Sequence, residues 1–376
     1  MLSDVESAFQ DTVRAFVNRE IEPNAQRWDR AARMPRELFS RLGEVGLLGT
    51  AYPEELGGSG GGAVMYALLA RELARGSAGV ALGMYVHTAL ACGAVFHLGD
   101  DEQRRRLLPG ALAGARVGCW AYAEPGAGAD AACIATRARR EGPGYVLSGS
   151  KLYITNAPLA DFAVVVASTT PERGLKGLSV FVVDTKAPGV HVGRHMDKLG
   201  MGASEMAEIV LDGALVDARD RLGPEDTGFV AALKVLTLGR IAAASFAVGL
   251  GSAALEGALA HVRVRSQFGQ PLAKQQFIRF TIAEMATRLE AAWQLTLEAA
   301  RLADHGRPHG KEASMAKLMA TQVCTWACER GLHLQGAQGY MSESPAQRHY
   351  RDCKVLELGE GTSEIQRETI ARALEM

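Results

Sequence analysis

The chain has 376 residues, which is long for one domain and predicts two or three. Its 41 basic residues balance its 42 acidic residues, so charge gives no basis for binding nucleic acid. Its six cysteines are scattered without a disulfide framework, which favours reduced thiols in a cytoplasmic protein.

Signals for export, membrane insertion and metal binding are weak throughout. The N-terminus lacks a basic segment followed by an apolar one, so no signal peptide is expected. The most apolar stretch, residues 241–255, is short and rich in Ala, Gly and Ser, which predicts a buried helix and no membrane span. His305 and His309 flank glycine and proline in a loop without a third ligand, so no metal site is expected.

Helical periodicity dominates the first third of the chain, from residue 3 to about 114. One apolar stripe contains Phe9, Val13, Phe16 and Val17, and another contains Leu38, Leu42, Val45 and Leu47. Residues 57–62 (GGSGGG) form a flexible connector and not a phosphate-binding loop, because no Lys-Ser/Thr pair follows them. We therefore predict an N-terminal all-helical domain over residues 1–115.

Strand-like composition replaces the helical pattern near Val117. The short apolar segments are residues 145–147, 162–166, 178–183 and 209–211, and Gly, Pro and Asp turns separate them. Strands at this spacing without helices between them indicate an antiparallel barrel or sandwich. This predicts a middle β domain over residues 116–224.

The helical period returns after Gly228 in three long segments, approximately residues 226–261, 274–304 and 311–335. Long helices with short connections predict an antiparallel bundle. We assign this C-terminal helical bundle domain to residues 225–376. The whole chain is therefore expected to be an α+β multidomain protein in the order helices, β domain, helices.

The segment 358–367 (LGEGTSEIQR) places the carboxylate of Glu360 on a glycine-flanked turn directly before a predicted helix. Ser363 lies three residues ahead of Gln366, which fits a capping box for that helix. An ordinary capped helix start, with an acidic residue favoured by the helix dipole, gives the same local pattern.

Residues 126–131 formally match the G-x-G-x-x-A pattern of dinucleotide-binding folds. Pro125 precedes the match, and residues 134–137 after it have strand character where a helix is required. Ser148 and Gly149 stand where an acidic residue should follow. We therefore reject a nicotinamide-binding fold.

Several segments, taken together, resemble the acyl-CoA dehydrogenase family of flavoproteins over nearly the whole chain. They are residues 121–130 (AYAEPGAGAD), 152–156 (LYITN), 265–269 (RSQFG), 333–340 (HLQGAQGY), 350–354 (YRDCK) and 358–367. The resemblance implies a helical domain, an antiparallel β-barrel and a helical bundle, with FAD as cofactor. It also implies a homotetramer, a dimer of dimers, that passes electrons to a carrier such as electron-transferring flavoprotein.

The resemblance further implies which residues contact FAD. Thr155 would lie against flavin N5, Tyr153 would cover the ring, and Arg265 would reach the pyrophosphate in a neighbouring subunit. The implied contacts are Trp120, Tyr122, Ala123, Ala129, Tyr153, Ile154, Thr155, Arg265, Phe268, Gln276, His333, Gln335, Gly336, Ala337, Thr362 and Glu364. Ala123 and Ala129 stand where the family commonly has Ser or Thr, so backbone amides or water would have to replace those hydroxyls.

By the same resemblance, Glu360 is the base that removes the α proton of a saturated acyl thioester, while the β hydride passes to flavin N5. Hydrogen bonds from the Glu360 amide and a ribityl hydroxyl would polarise the thioester carbonyl. Gly239 stands where some relatives carry the base instead, so that alternative is absent. Arg240 is a substrate contact or the partner of a buried acid. The implied substrate contacts are Thr237, Gly239, Arg240, Gly359 and Gly361.

The function predicted is FAD-dependent α,β-dehydrogenation of an acyl-CoA. The alternatives are dehydrogenation of an acyl or aminoacyl group on a carrier protein, an acyl-CoA oxidase, and a redox-silent scaffold that binds acyl thioesters. The resemblance implies that Gly239 and Gly359 lie beside the reacting carbons, where their missing side chains predict a void for a branched or bulky acyl group. Alternatively, Gly359 only permits an unusual backbone angle.

Overall fold

A computed structural model describes residues 2–375, and it begins with helices as expected. The α-helices of this region are α1 Asp4–Phe16, α2 Glu22–Arg30, α3 Glu37–Glu44, α4 Gly62–Gly76, α5 Ala78–Tyr85, α6 Gly93–Leu98 and α7 Asp101–Leu112. The segments Val17–Ile21 and Val86–Cys92 continue the chain as π-helical turns. Ser3 starts α1 through a capping box, in which its hydroxyl accepts from the Glu6 amide and its own amide donates to the Glu6 carboxylate.

The middle region forms an 8-stranded sheet. Its strands are β1 Gly118–Ala121, β2 Arg137–Glu141, β3 Gly144–Thr155, β4 Phe162–Ser168, β5 Leu178–Asp184, β6 Val190–Val192, β7 Met206–Asp217 and β8 Arg221–Leu222. The order is β6-β7-β3-β2-β4-β5-β8, with β1 paired to β4. Most pairs are antiparallel as predicted, whereas β1 and β2 both pair with β4 in parallel.

The longest pairing, β3 with β7, contains an irregularity between Lys151 and Ile154. Tyr153 inside it has a left-handed backbone (φ 61°) and a side chain that is 63% exposed. A bulge lets a strand turn one side chain away from its regular direction. Here it presents the Tyr153 ring on the surface while Thr155 stays buried.

The C-terminal region is a bundle of long helices. They are α8 Gly228–Val264, α9 Gln276–Asp304, α10 Gly310–Tyr340, α11 Pro345–Asp352 and α12 Ser363–Ala373, and a small hairpin, β9 Ser266–Gln267 with β10 Gln270–Pro271, follows α8. The first three match the predicted segments closely, because each has a long uninterrupted helical period.

The N-terminal helices and the C-terminal bundle share one hydrophobic core. Val17 and Leu68 from the first region lie in the same buried cluster as Phe246, Leu250 and Trp293 from the second. The sheet has a separate core, and a third buried cluster joins helices to sheet. The β domain is thus inserted between two parts of one helical body.

Two helical segments are long and apolar enough to cross a membrane by length and composition alone. They are Ala78–Leu98 and Gly228–Val264. In the fold, 83% and 56% of the most apolar window of each is buried among other parts of the protein. Core helices satisfy the same criterion, so the segments carry no separate argument for a membrane span.

Candidate active site

Glu360 lies on a strained turn between Cys353–Glu357 and α12. Its φ is 56° and that of Gly361 is 80°, so two consecutive residues are left-handed. A non-glycine residue in this region is uncommon and persists where its surroundings fix it. Lys317 supplies that support, because its ammonium donates to the carbonyl of Gly359 (2.5 Å) and to that of Gly361.

Gln366 supports the same turn from the other side. Its side-chain amide, fully buried, donates to the carbonyls of Glu360 (3.1 Å) and Gly361 (2.9 Å). The predicted capping box on Ser363 is therefore wrong by one position. Thr362 is the cap of α12, with its hydroxyl accepting from the Ile365 amide at 3.5 Å. The Gln366 side chain instead binds the carbonyls of the turn that carries Glu360.

The Glu360 carboxylate sits in an environment that favours its protonated form. Its Oε2 atom is buried and has no hydrogen bond of ordinary geometry among residues 2–375. Burial raises the pKa of the Glu360 carboxyl, while the Tyr85 hydroxyl and the charges of Lys317 and Arg240 lower it in part. A carboxylate with a raised pKa is a stronger base than one in water.

Arg240, on α8, is a second cation that interacts with this carboxylate. It is 7% exposed, and its Nη1 donates to the Ser314 hydroxyl at 3.2 Å. Its Nε has no hydrogen-bond partner among the described residues. Burial lowers the pKa of Arg240 and the Glu360 charge raises it, so Glu360 is a buried acid that faces it. Thr237, a turn earlier, is half-buried with its hydroxyl donating to the Leu233 carbonyl.

The two glycines expected to leave a void differ from each other. A Cβ at Gly239 would lie 2.5 Å from the Tyr85 hydroxyl and 3.1 Å from Glu360 Oε2, so this space is filled and the prediction is wrong there. A Cβ at Gly359 would meet only the Val355 carbonyl, at 3.6 Å. The space beside Gly359 is therefore free of neighbouring side chains, whereas the space beside Gly239 is occupied.

Tyr85 is one of the site residues that the sequence did not reveal. It lies at the end of α5 in an apolar helical run, where an aromatic residue is typical of ordinary core packing. Asn156, directly after β3, donates from its side chain to the Gly83 carbonyl at 2.7 Å. This bond fixes the distance between the Tyr85 helix and the strand that carries Thr155.

Most middle-domain residues assigned to FAD lie on β1, in the segment directly after it, and at the end of β3. The Trp120 and Tyr122 rings stack with centroids 6.2 Å apart and an angle of 8°. The Leu152 amide donates to the Ala123 carbonyl at 2.9 Å, which joins that segment to the one containing Tyr153, Ile154 and Thr155.

A buried ion pair fixes the glycine loop that follows. Lys151 and Glu124 are joined at 2.7 Å with side chains that are 0% and 4% exposed. Glu124 also accepts from the amides of Ala135 and Thr136. Ala129 lies in the exposed part of this loop, which is followed only by a single 3-10 turn, Ala131–Cys133, and by no α-helix, in agreement with rejection of the dinucleotide fold.

The remaining predicted FAD residues lie elsewhere, on the C-terminal bundle. Arg265 follows α8 and Gln276 begins α9, and both are exposed, while Phe268 between them is 94% exposed. On α10, His333, Gln335, Gly336 and Ala337 surround a break where Gly336 has φ 57°. No hydrogen bond among residues 2–375 links this group to the middle-domain set. Glu364 is also exposed and pairs with Arg367 at 3.4 Å.

The middle-domain surface fits a flavin. Tyr153 offers an exposed aromatic face beside the stacked Trp120 and Tyr122, which suits a planar ring. A Cβ placed at Gly126 or at Gly128 would have no atom within 4 Å, so the loop backbone is accessible to a pyrophosphate. The described residues contain no cluster of His, Cys, Asp and Glu that could hold a metal ion.

Known protein families match this chain along nearly its whole length. The acyl-CoA dehydrogenase N-terminal, middle and C-terminal domain families match residues 3–115, 119–214 and 226–375. The chain is 40% identical to the mitochondrial short-chain specific acyl-CoA dehydrogenase of Bos taurus, covering 98% of this chain and 90% of that one.

Solved structures show the same likeness. Butyryl-CoA dehydrogenase from Megasphaera elsdenii has a TM-score of 0.98 at 33% identity, covering 100% of this chain and 99% of that chain. A glutaryl-CoA dehydrogenase from Mycobacterium smegmatis in complex with FADH2 has a TM-score of 0.94 at 31% identity, covering 99% and 95%. The chain belongs to the acyl-CoA dehydrogenase family and is an FAD-dependent oxidoreductase that acts on the CH–CH bond of acyl-CoA.

Proposed function

We propose that this enzyme oxidises short acyl-CoA thioesters to the 2-enoyl thioesters, with Glu360 as the base that removes the α proton. The observation that carries the proposal is the Glu360 carboxylate, whose Oε2 atom is buried, on a turn that Lys317 and Gln366 fix. Tyr85 closes the space above Gly239, which supports a short acyl group. The short-chain specific and butyryl-CoA relatives support the same choice.

The roles of the residues follow from their positions. Glu360 takes the α proton onto its carboxylate, and burial makes that carboxylate basic enough to compete for a weakly acidic carbon. Arg240 and Lys317 keep the ionised form available between turnovers by their positive charges. Thr155 and Tyr153 orient the flavin ring from the middle domain. Bound FAD supplies the acceptor for the β hydride.

The test is anaerobic mixing of the purified yellow enzyme with a panel of acyl thioesters. Flavin absorbance should bleach fastest with butyryl-CoA and more slowly with octanoyl-CoA, and isobutyryl-CoA reports whether the open side at Gly359 admits a branch. Bleaching only by butyryl carrier protein would favour a carrier-tethered substrate. Slow bleaching by every short acyl-CoA and fast bleaching by octanoyl-CoA would contradict the proposal.

We also propose that electrons leave through electron-transferring flavoprotein and that the enzyme is a cytoplasmic homotetramer. The six free thiols support a reducing compartment. Val264, Phe268, Phe277 and Phe280 are 62% to 94% exposed at one end of the bundle, which supports an interface with another subunit. Rapid turnover with oxygen and release of hydrogen peroxide would instead indicate an oxidase.

Arg265→Ala is expected to weaken FAD retention and to lower the melting temperature of the oligomer together. The reason is that a cofactor shared between subunits stabilises the assembly by binding it. Absorbance after gel filtration and thermal melting measure the two effects. Arg263→Ala is the control, because this exposed arginine lies two residues earlier, in the last turn of α8, and its loss should change neither property. A stable Arg265→Ala monomer with full FAD would contradict a shared site.

A further inference from the structure

Two buried oxygens face the same glycine beside the base. The Tyr85 hydroxyl and Glu360 Oε2 lie 2.5 Å and 3.1 Å from the point where a Cβ at Gly239 would stand, and Leu90 Cδ2 lies 3.5 Å from it. Neither oxygen has a hydrogen-bond partner of ordinary geometry among residues 2–375. A buried polar group without a hydrogen-bond partner costs free energy of folding. A hydrogen bond between these two oxygens would satisfy both groups.

Tyr85 is held in this position, and toward an ionised carboxylate its hydroxyl can only donate. Its side chain is 6% exposed and belongs to the buried cluster that includes Leu90 and Trp120. Burial and the Glu360 charge raise the pKa of Tyr85 well above its ordinary value. The phenol therefore stays protonated and can donate a hydrogen bond to a carboxylate oxygen.

We propose that Tyr85 is a positioning residue for the base: its hydroxyl donates to the Glu360 carboxylate across Gly239, and position 239 must be glycine for the two to meet. This inference rests on the proposed role of Glu360. A donor on one oxygen leaves the other free to meet the α proton and fixes the carboxylate plane. The remaining charges that face Glu360 are Lys317 from α10 and Arg240 from α8.

The first test is the pH dependence of kcat/KM for Tyr85→Phe, which keeps the ring and removes only the hydroxyl. Loss of a hydrogen bond to a charged group should lower kcat/KM by roughly 10- to 100-fold. The acid limb should move to higher pH, because the missing donor no longer favours the ionised carboxylate. FAD content and melting temperature report that the variant is folded.

Tyr66→Phe is the matched control. Its hydroxyl is partly buried and bonds the Thr88 hydroxyl at 2.6 Å, so the acid limb should stay in place. If Tyr85→Phe leaves the acid limb unmoved, Tyr85 only packs the pocket and the inference is wrong.

The second test is a double-mutant cycle with Gly239→Ala. Alone, the added methyl group would collide with the Tyr85 hydroxyl, so kcat/KM should fall by more than in Tyr85→Phe. Combined with Tyr85→Phe, part of that loss should be recovered because the colliding atom is gone. Losses that simply multiply would contradict the inference. An active Glu360→Gln variant would overturn the proposed function instead, so the two failures are distinguishable.

Discussion

Glu360→Gln is expected to remain yellow and to bind substrate while losing turnover by about 10²- to 10⁴-fold, the usual contribution of a positioned base. Glutamine keeps the size of the side chain, so the turn held by Lys317 and Gln366 should persist. Single-turnover flavin bleaching with butyryl-CoA measures the chemical step directly.

Glu368→Gln is the matched control for this substitution. Glu368 is exposed on α12 and pairs with Arg372 on the surface at 2.6 Å. The control should turn over at the rate of the unmodified enzyme. If Glu360→Gln is fully active, the base has been assigned to the wrong carboxylate, and Glu364 is the next one to test.

Lys317→Met is expected to lower both stability and turnover. Lys317 is 1% exposed, and its ammonium bonds the two carbonyls that flank Glu360. Loss of two bonds from a charged donor should reduce the free energy of unfolding by about 3 kcal/mol, since burial of the charge already offsets part of their gain. A loosened base should reduce kcat by about 10²-fold, as expected for a misplacement of about 1 Å.

The measurement is urea unfolding at fixed protein concentration, together with kcat for butyryl-CoA. Lys354→Met is the control, because Lys354 is 52% exposed and pairs with Glu357 on the surface at 2.8 Å. An exposed ion pair contributes about 0–1 kcal/mol to stability, so Lys354→Met should change the free energy of unfolding and kcat little. A Lys317→Met enzyme as stable and active as its parent would show that Gln366 holds the turn alone.

The long helices were predictable because each carries a helical period of apolar residues over many turns. The apolar period over three predicted segments placed α8, α9 and α10 within a few residues of their bounds. The flanking glycines likewise marked the turn at Glu360, whose backbone is left-handed. The cap of α12 was misplaced because Thr362 and Ser363 carry equivalent hydroxyls, and only the fold decides which of them faces the helix.

The immediate surroundings of Glu360 were not predictable from the sequence. A glycine at position 239 shows that a side chain is missing, but it does not show which distant side chain takes its place. Tyr85 reaches it from a helix about 150 residues earlier in the chain, across the shared boundary of helices and sheet. Lys317 and Gln366 were missed for the same reason, since their partners are backbone carbonyls that no side-chain pattern reveals.

The helical core shared by the two ends of the chain has a consequence for biosynthesis. Val17 and Leu68 are made early, but their partners Phe246 and Trp293 leave the ribosome only after the whole β domain. The sheet has its own core and can fold before the packing partners of the first helices have been synthesised. The nascent chain therefore carries an uncovered apolar surface through most of its synthesis, and emergence of α8 and α9 is the step that protects it from aggregation.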